Sequence, residues 1–210
     1  MARTRASDYD DKRRTILDRS AELFAAHGFD RASMSRIADA CGVSKANLYH
    51  YYRDKEAILF DVIRVHLEVL LEAVEAADLP GLAPQERLRR LVGALLEAYR
   101  DADAQHKVQI NDLALLPQAR QDEVRAIERE LVRLFAEAIA GVAPHLRGTR
   151  VLKPVTMSFF GMVNWHYLWF REGGGFTRSD YADLVTRIIA DGTRGIAAEP
   201  EPARAVAAGR

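Results

Sequence analysis

Three features of the 210 residues predict an all-α fold. Apolar side chains recur at helical spacing almost throughout, no run of alternating β-branched residues is bounded by hairpin turns, and glycine or proline breaks separate about nine helical stretches. The organisation expected is an N-terminal three-helix domain with a helix-turn-helix over residues 1–53 and a C-terminal helical bundle domain over 54–197. A disordered tail is expected at 198–210, where Glu199-Pro200-Glu201-Pro202 and the alanines beyond carry no periodic pattern.

The first helix is expected to start near Asp10 or Asp11, whose carboxylates suit a helix N-terminus. It sets Ile16, Ala21, Leu23 and Phe24 at core spacing before Gly28 stops it. Ser33 then caps a short helix, Met34 to Cys41, with Ile37, Ala38 and Cys41 along one face. Gly42 ends it, Val43 is an apolar plug, and Ser44 caps a second short helix, Lys45 to Tyr51. Two such helices joined through a glycine describe a helix-turn-helix. Asp54 caps a long fourth helix to about Ala77, and the run Asp78 to Pro84 is the clearest loop. Further helices are expected at about 85–103, 105–116 and 118–141, the second ending before Pro117. The last two fall at about 151–171 and 178–195, separated by Gly173-Gly174-Gly175.

Composition narrows the function classes. Hydrophobic residues make up 49% of the chain, enough to build a core, and charged residues are interspersed as ordered domains have them. A single cysteine can form neither an internal disulfide nor a cysteine-based zinc site, which points to a reducing, cytoplasmic setting. No apolar stretch follows the N-terminal MARTRASDYDDKRR as a secretory signal would require. The most apolar window, Met157 to Phe170, contains Asn164 and His166 and falls short of the ~20 residues that span a bilayer, so no membrane partner is expected. Net charge is zero, but residues 1–55 hold 11 basic against 8 acidic side chains and the remainder 19 against 22. The basic excess lies where the helix-turn-helix lies.

Reading DNA requires a rigid helix that fits a groove about 12 Å wide and leads with short polar side chains. In Ser44 to Tyr51, Leu48 must turn inward against Ile37 and Val43, leaving Lys45, Ala46, Asn47, Tyr49 and His50 on the other faces. Asn47 suits a paired hydrogen bond to adenine or a phosphate contact, Ala46 a thymine methyl, and Lys45 a guanine or the backbone. Tyr49 and His50 suit positioning, and Tyr51 and Tyr52 are equally compatible with core packing. Lys55, in the first turn of the fourth helix, suits a phosphate clamp, and Ser33 can offer its hydroxyl to a phosphate.

The stretch Ile16 to Phe60, above all Met34 to Phe60, resembles the N-terminal domain of the TetR family of bacterial transcription regulators. The resemblance is carried by the glycine after the first helix, the run Ile37-Ala38-x-x-x-Gly42-Val43-Ser44, the pair Leu48-Tyr49-x-Tyr51, and Lys55. Tyr52 stands where that family more usually has phenylalanine, a departure expected to change little. The resemblance implies that Ser33, Ser44, Lys45, Asn47, Tyr49, His50 and Lys55 meet operator DNA.

It also implies a C-terminal body used for homodimerisation and for an effector pocket. Pairing has a physical reason, since a two-fold dimer sets its recognition helices about 34–36 Å apart and reads a palindrome where a single module binds weakly. The last two helices carry the interface candidates Phe160, Val163, Tyr167, Tyr181, Leu184, Val185, Ile188 and Ile189, which would form a four-helix bundle or else fill the protomer core. The segment Met157 to Arg171, with Asn164-Trp165, Trp169-Phe170-Arg171 and the glycine turn, resembles TetR regulators that sense acyl-coenzyme A thioesters in fatty-acid, steroid or phenylacetate degradation. His166 departs from the threonine or alanine more usual there. The likeness implies that Phe159, Met162, Trp165 and Phe170 line the acyl end, and that Arg171 or another exposed arginine meets the coenzyme phosphates.

Catalysis is not expected. His66, His106 and His166 are isolated in sequence, no H-E-x-x-H, phosphate loop or Ser/His/Asp order is present, and Cys41 reads as an inert core thiol. A metal site would have to be built from His106 with Asp103 or Asp112; neither a metal nor a cofactor is expected. The function expected is therefore a ligand-responsive repressor that binds a palindromic operator as a homodimer and is released by a small effector, such as an acyl-coenzyme A. On the same fold a multidrug or xenobiotic sensor would take cationic or lipophilic compounds directly. A helical interaction protein that binds no DNA would leave Asn47 and Lys55 without a role.

Overall fold

The computed structural model describes residues 2–197, with side chains from Tyr9 onward. Regular structure among them is entirely helical: α1 (Ala2–His27), α2 (Met34–Cys41), α3 (Lys45–Tyr51), α4 (Lys55–Ala77), α5 (Pro84–Ala98), α6 (Asp103–Asp112), α7 (Gln118–Val142), α8 (Leu152–Asn164) and α9 (Arg178–Gly192). Single 3-10 turns follow α6, α7, α8 and α9. The expected all-α class, with its helix-turn-helix at α2–α3, is what forms. No helix among the described residues is long and apolar enough to cross a membrane, and the tail expected at 198–210 lies outside them.

Contacts divide the chain into two compact units. One comprises residues up to Leu71 together with Tyr99–Glu128, the other Glu72–Ala98 together with residues from Arg129 on, so α4 and α7 each contribute to both. In the first unit, α1 packs against α2 and α6 over a core of Ile16, Phe24, Ile37, Leu48, Ile58 and Ile63, all within 2% of full burial. In the second, α9 lies along α5, and Leu88, Leu91, Val92 and Val185 are sealed from water. Each fully buried aliphatic side chain contributes on the order of 2 kcal/mol.

Three boundaries differ most from expectation. α1 begins at Ala2 rather than near Asp10, because nothing between them breaks a helix. α5 stops at Ala98 rather than about 103, and the chain turns through Asp101 with a left-handed φ of 59°. The helix expected to run to 171 ends at Asn164, where the His166 ring donates from Nδ1 to the Val163 carbonyl at 2.9 Å. That side-chain bond competes with the helical ladder, and the backbone tightens into a 3-10 turn closed by Trp169 N to His166 O at 3.1 Å. Trp165 through Phe170 therefore leave the helix. α9 opens on a reciprocal cap: the Thr177 hydroxyl accepts from Asp180 N at 3.1 Å, and the Asp180 carboxylate accepts from Thr177 N at 2.8 Å.

Candidate nucleic-acid interface

The helix-turn-helix is built by caps. The Ser33 hydroxyl accepts from Arg36 N at 3.3 Å and the Ser44 hydroxyl from Asn47 N at 3.1 Å, each satisfying an orphan amide of the helix it starts. Both hydroxyls keep their hydrogen for an outward acceptor. Between the helices Gly42 adopts φ 64°, a conformation that an L side chain disfavours, and Val43 N reaches back to Ala38 O at 3.0 Å. This turn delivers α3 with Leu48 fully buried, while Lys45, Ala46, Asn47, Tyr49 and His50 all stand in solvent. Five of the eight side chains expected to reach DNA thus share the outer surface of one two-turn helix.

Tyr51 and Tyr52 divide. Tyr51 is half-buried and stacks on Tyr9 of α1, ring centroids 4.7 Å apart. Tyr52 is buried and caps the end of α3; its hydroxyl donates to Asp61 Oδ2 of α4 at 3.1 Å and accepts from Arg13 Nε of α1 at 3.1 Å. Arg13 also pairs with Asp61 at 2.5 Å, and Arg64 adds bonds to the other carboxylate oxygen and to Glu68. Burial alone would raise the Asp61 carboxyl, but the hydrogen bonds and charges of Arg13 and Arg64 hold it below the usual carboxylate range. Burial, and then the Asp61 charge, pushes the Tyr52 phenol far up, so it stays a neutral donor. Three helices are tied at the end of the recognition helix by one hydroxyl. Tyr52 was expected to change little, and this network was not foreseen. The signal was available, since a phenol oxygen placed where a phenyl ring would be buried demands partners.

Lys55 serves a second purpose. Its ammonium donates to the carbonyls of Phe29, Asp30 and Ala32 at 3.0, 3.4 and 3.2 Å and lies 4.2 Å from the Phe29 ring centroid. The cation expected to clamp phosphate is here the clasp of the α1–α2 connection. Ser33 follows directly on that connection.

In the body, the residues expected at the dimer interface are sorted by exposure. Phe160, Val163, Tyr181, Val185 and Ile189 are buried within the protomer, Tyr167 is half-buried, and Leu184 and Ile188 stand 43% and 46% exposed one turn apart on α9. Met157, Trp165, Leu168 and Trp169 add further exposed apolar surface along α8 and the turn beyond it. Tyr181 is anchored by its hydroxyl to Met162 O at 2.8 Å. The residues expected to line the acyl end differ in burial. Phe159 is fully buried and stacks on Phe135 at 4.6 Å, Met162 is half-buried, and Trp165 is 48% exposed. Phe170 lies under the Arg178 guanidinium at 4.8 Å, and Arg171, exposed, bonds the Phe170 carbonyl at 2.9 Å.

The histidines are not isolated. His66 and His106 are both buried, their rings 5.7 Å apart and in contact with Tyr99. Burial, and then the neighbouring His106, lowers His66 to about 3. Cys41 is half-buried, and burial raises its thiol, which keeps it a poor nucleophile.

Comparison with known proteins places these elements. Residues 16–62 match the family model described as bacterial regulatory proteins of the tetR family, and residues 81–193 match a tetracyclin repressor-like C-terminal domain. The chain belongs to the TetR family. A TetR-family regulator from Bordetella parapertussis 12822 superposes with a TM-score of 0.80 at 32% identity, covering 89% of this chain and 98% of that one. AibR in complex with isovaleryl coenzyme A and operator DNA superposes at 0.71 with 27% identity, covering 84% and 97%. The repressor KstR2 of Rhodococcus jostii is 27% identical over 187 residues, 86% of this chain and 90% of that protein. Some alignments are partial: the chain spans about a third of the curated Bacillus subtilis regulator YerO, at 32% identity. These relatives are transcriptional regulators, and in this TetR-family chain α2–α3 is the helix-turn-helix.

Proposed function

We propose that the chain is a repressor that binds a palindromic operator as a homodimer and is released by an acyl-coenzyme A thioester. The observation that carries the DNA reading is the outer surface of α3, where Lys45, Ala46, Asn47, Tyr49 and His50 are exposed around a single buried Leu48. Asn47 reads a base edge, Lys45 and Ala46 add base or backbone contacts, and the Ser33 and Ser44 hydroxyls, with Tyr49 and His50, fix the helix against phosphates. Lys55 acts mainly by shaping the connection that presents Ser33.

Pairing is supported by Leu184 and Ile188, an exposed apolar stripe at i and i+4 that a second copy of α9 would cover. The effector reading is supported by the likeness to AibR, solved with isovaleryl coenzyme A and operator DNA, and to KstR2. An effector that binds better to a state with misplaced recognition helices shifts the population off the operator. A gel shift on the DNA upstream of the chain's own gene tests this. Specific retention that acyl-coenzyme A releases is the expected result; retention undiminished at saturating thioester rejects the effector, and no retention rejects the operator reading.

A further inference from the structure

A cleft of about 350 Å³ opens in the second unit, between the end of α4, the outer face of α5 and the start of α9. Its lining includes Ala77, Gly93, Ala94 and Ala182, and its charged members are Arg89, Arg90 and Arg178 with Glu97. That volume sits at the low end of the roughly 300–1,000 Å³ typical of small-molecule sites. None of the residues expected to line the acyl end or the dimer interface contributes to it.

The Arg89 and Arg178 guanidinium groups are held before any ligand arrives. Arg89 pairs with Asp183 and donates to the Ser179 hydroxyl at 3.1 Å, while Arg178 pairs with Glu172 and lies over the Phe170 ring. Asp183 and Glu172 are not part of the lining, so they orient the cations without filling the cleft. Arg178 Nε is buried and finds no acceptor among the described residues. Arg90 donates to the Ala77 carbonyl at 3.5 Å and pairs with no carboxylate among them. Each group retains N–H donors, in the planar fork that matches phosphate oxygens. Side chains already fixed lose little entropy on binding, and a concave site suits a small molecule.

We infer that this arginine cleft binds the phosphate group of an organic phosphate, and that it takes the coenzyme end of the effector. The second clause rests on the effector reading above; the first does not.

Calorimetric titration of the full-length protein with coenzyme A, dephospho-coenzyme A, acyl-pantetheine and inorganic pyrophosphate tests both. Arg90→Gln removes an exposed cation that holds no ion pair, and Arg178→Lys keeps the charge but removes the fork. Each is expected to weaken coenzyme A by about tenfold and to leave acyl-pantetheine, which carries no phosphate, unchanged. A matching loss with dephospho-coenzyme A assigns the diphosphate; a loss confined to coenzyme A assigns the terminal phosphate. Affinity for coenzyme A within about twofold of the parent in both variants overturns the cleft, as does pyrophosphate binding as tightly as coenzyme A, which would mark an adventitious ion only. Arginine-dependent coenzyme A binding with no thioester releasing operator keeps the cleft and removes the effector reading.

Discussion

The two helix pairs proposed to meet other molecules solve opposite problems. In α2–α3 almost everything outward is polar or small, and of the seven residues of α3 Leu48 is the one fully buried, with Tyr51 half-buried against Tyr9. In α8–α9 apolar side chains point both ways: Phe159, Val163 and Val185 fill the interior, while Met157, Leu184 and Ile188 remain in solvent. A helix that reads bases must leave the protein surface, so it can bury little. A helix that pairs with its own copy gains from apolar surface on both sides, one for the protomer and one for the partner. Local caps therefore carry the first pair and distributed packing carries the second.

The largest expected effect tests the second half of this contrast. Leu184→Glu with Ile188→Glu places charge on the exposed stripe without touching the protomer core, and should convert dimer to monomer in sedimentation. Operator affinity should then fall by about 10²-fold or more as the second half-site is lost. A charged variant that remains dimeric and binds as before would show that the stripe is ordinary surface. Next in size is Leu48→Ala, which should cost about 2–5 kcal/mol in urea unfolding of the head because Leu48 is the one side chain of α3 that is fully buried. Asn47→Ala sharpens the contrast from the opposite side. It should leave the unfolding midpoint unchanged and cost about 1–3 kcal/mol in specific operator binding, measured against nonspecific DNA at fixed salt.

Legibility in the sequence follows the same division. Ser33, Gly42, Ser44 and Asp54 act within a few residues of themselves, so α2 and α3 were placed to the residue and the buried Leu48 followed from spacing. In α8–α9 each apolar residue had two plausible destinations, and periodicity cannot choose between a protomer interior and a partner. Tyr181 and Val185 went inward and Leu184 and Ile188 outward because α5 occupies one face of α9, a fact of tertiary packing. The end of α8 was missed for a similar reason: the aromatic run continues the pattern, and the His166 ring bond that breaks it is invisible in spacing. Lys55, His66 and His106 depended on partners more than twenty residues away.

The interior of the first unit adds a smaller, pH-dependent term. Folded His66 stays neutral down to about 3, whereas an unfolded imidazole titrates near 6.5. The stability that requires the neutral ring is whole above pH 6.5 and declines as pH drops from there toward 3. The slope approaches about 1.4 kcal/mol per pH unit between those limits. His66→Gln, neutral throughout, should flatten the acid limb of a urea-unfolding series between pH 7 and pH 5. Parallel limbs in the two proteins would mean that His66 is protonated in the fold or is not sealed.

The smallest effect bears on how α3 is held at its far end. If Tyr52 merely fills space, Tyr52→Phe restores the side chain more usual in the family and is neutral or stabilising. If its hydroxyl ties α3 to Asp61 and Arg13, the change should cost about 1 kcal/mol, because the carboxylate keeps its arginines but loses one donor. A double-mutant cycle with Asp61→Asn separates the cases. Unfolding free energies of the four proteins should give a coupling of about 0.5–1.5 kcal/mol between the two sites. Operator affinity of Tyr52→Phe should fall by a similarly small factor, since loosening the end of α3 spreads its orientations without removing a contact. Zero coupling would leave Leu48 and the Tyr9–Tyr51 stack as the supports of the recognition helix. In that event the head would depend still more heavily on a single buried leucine, and the contrast with the densely packed α8–α9 pair would widen.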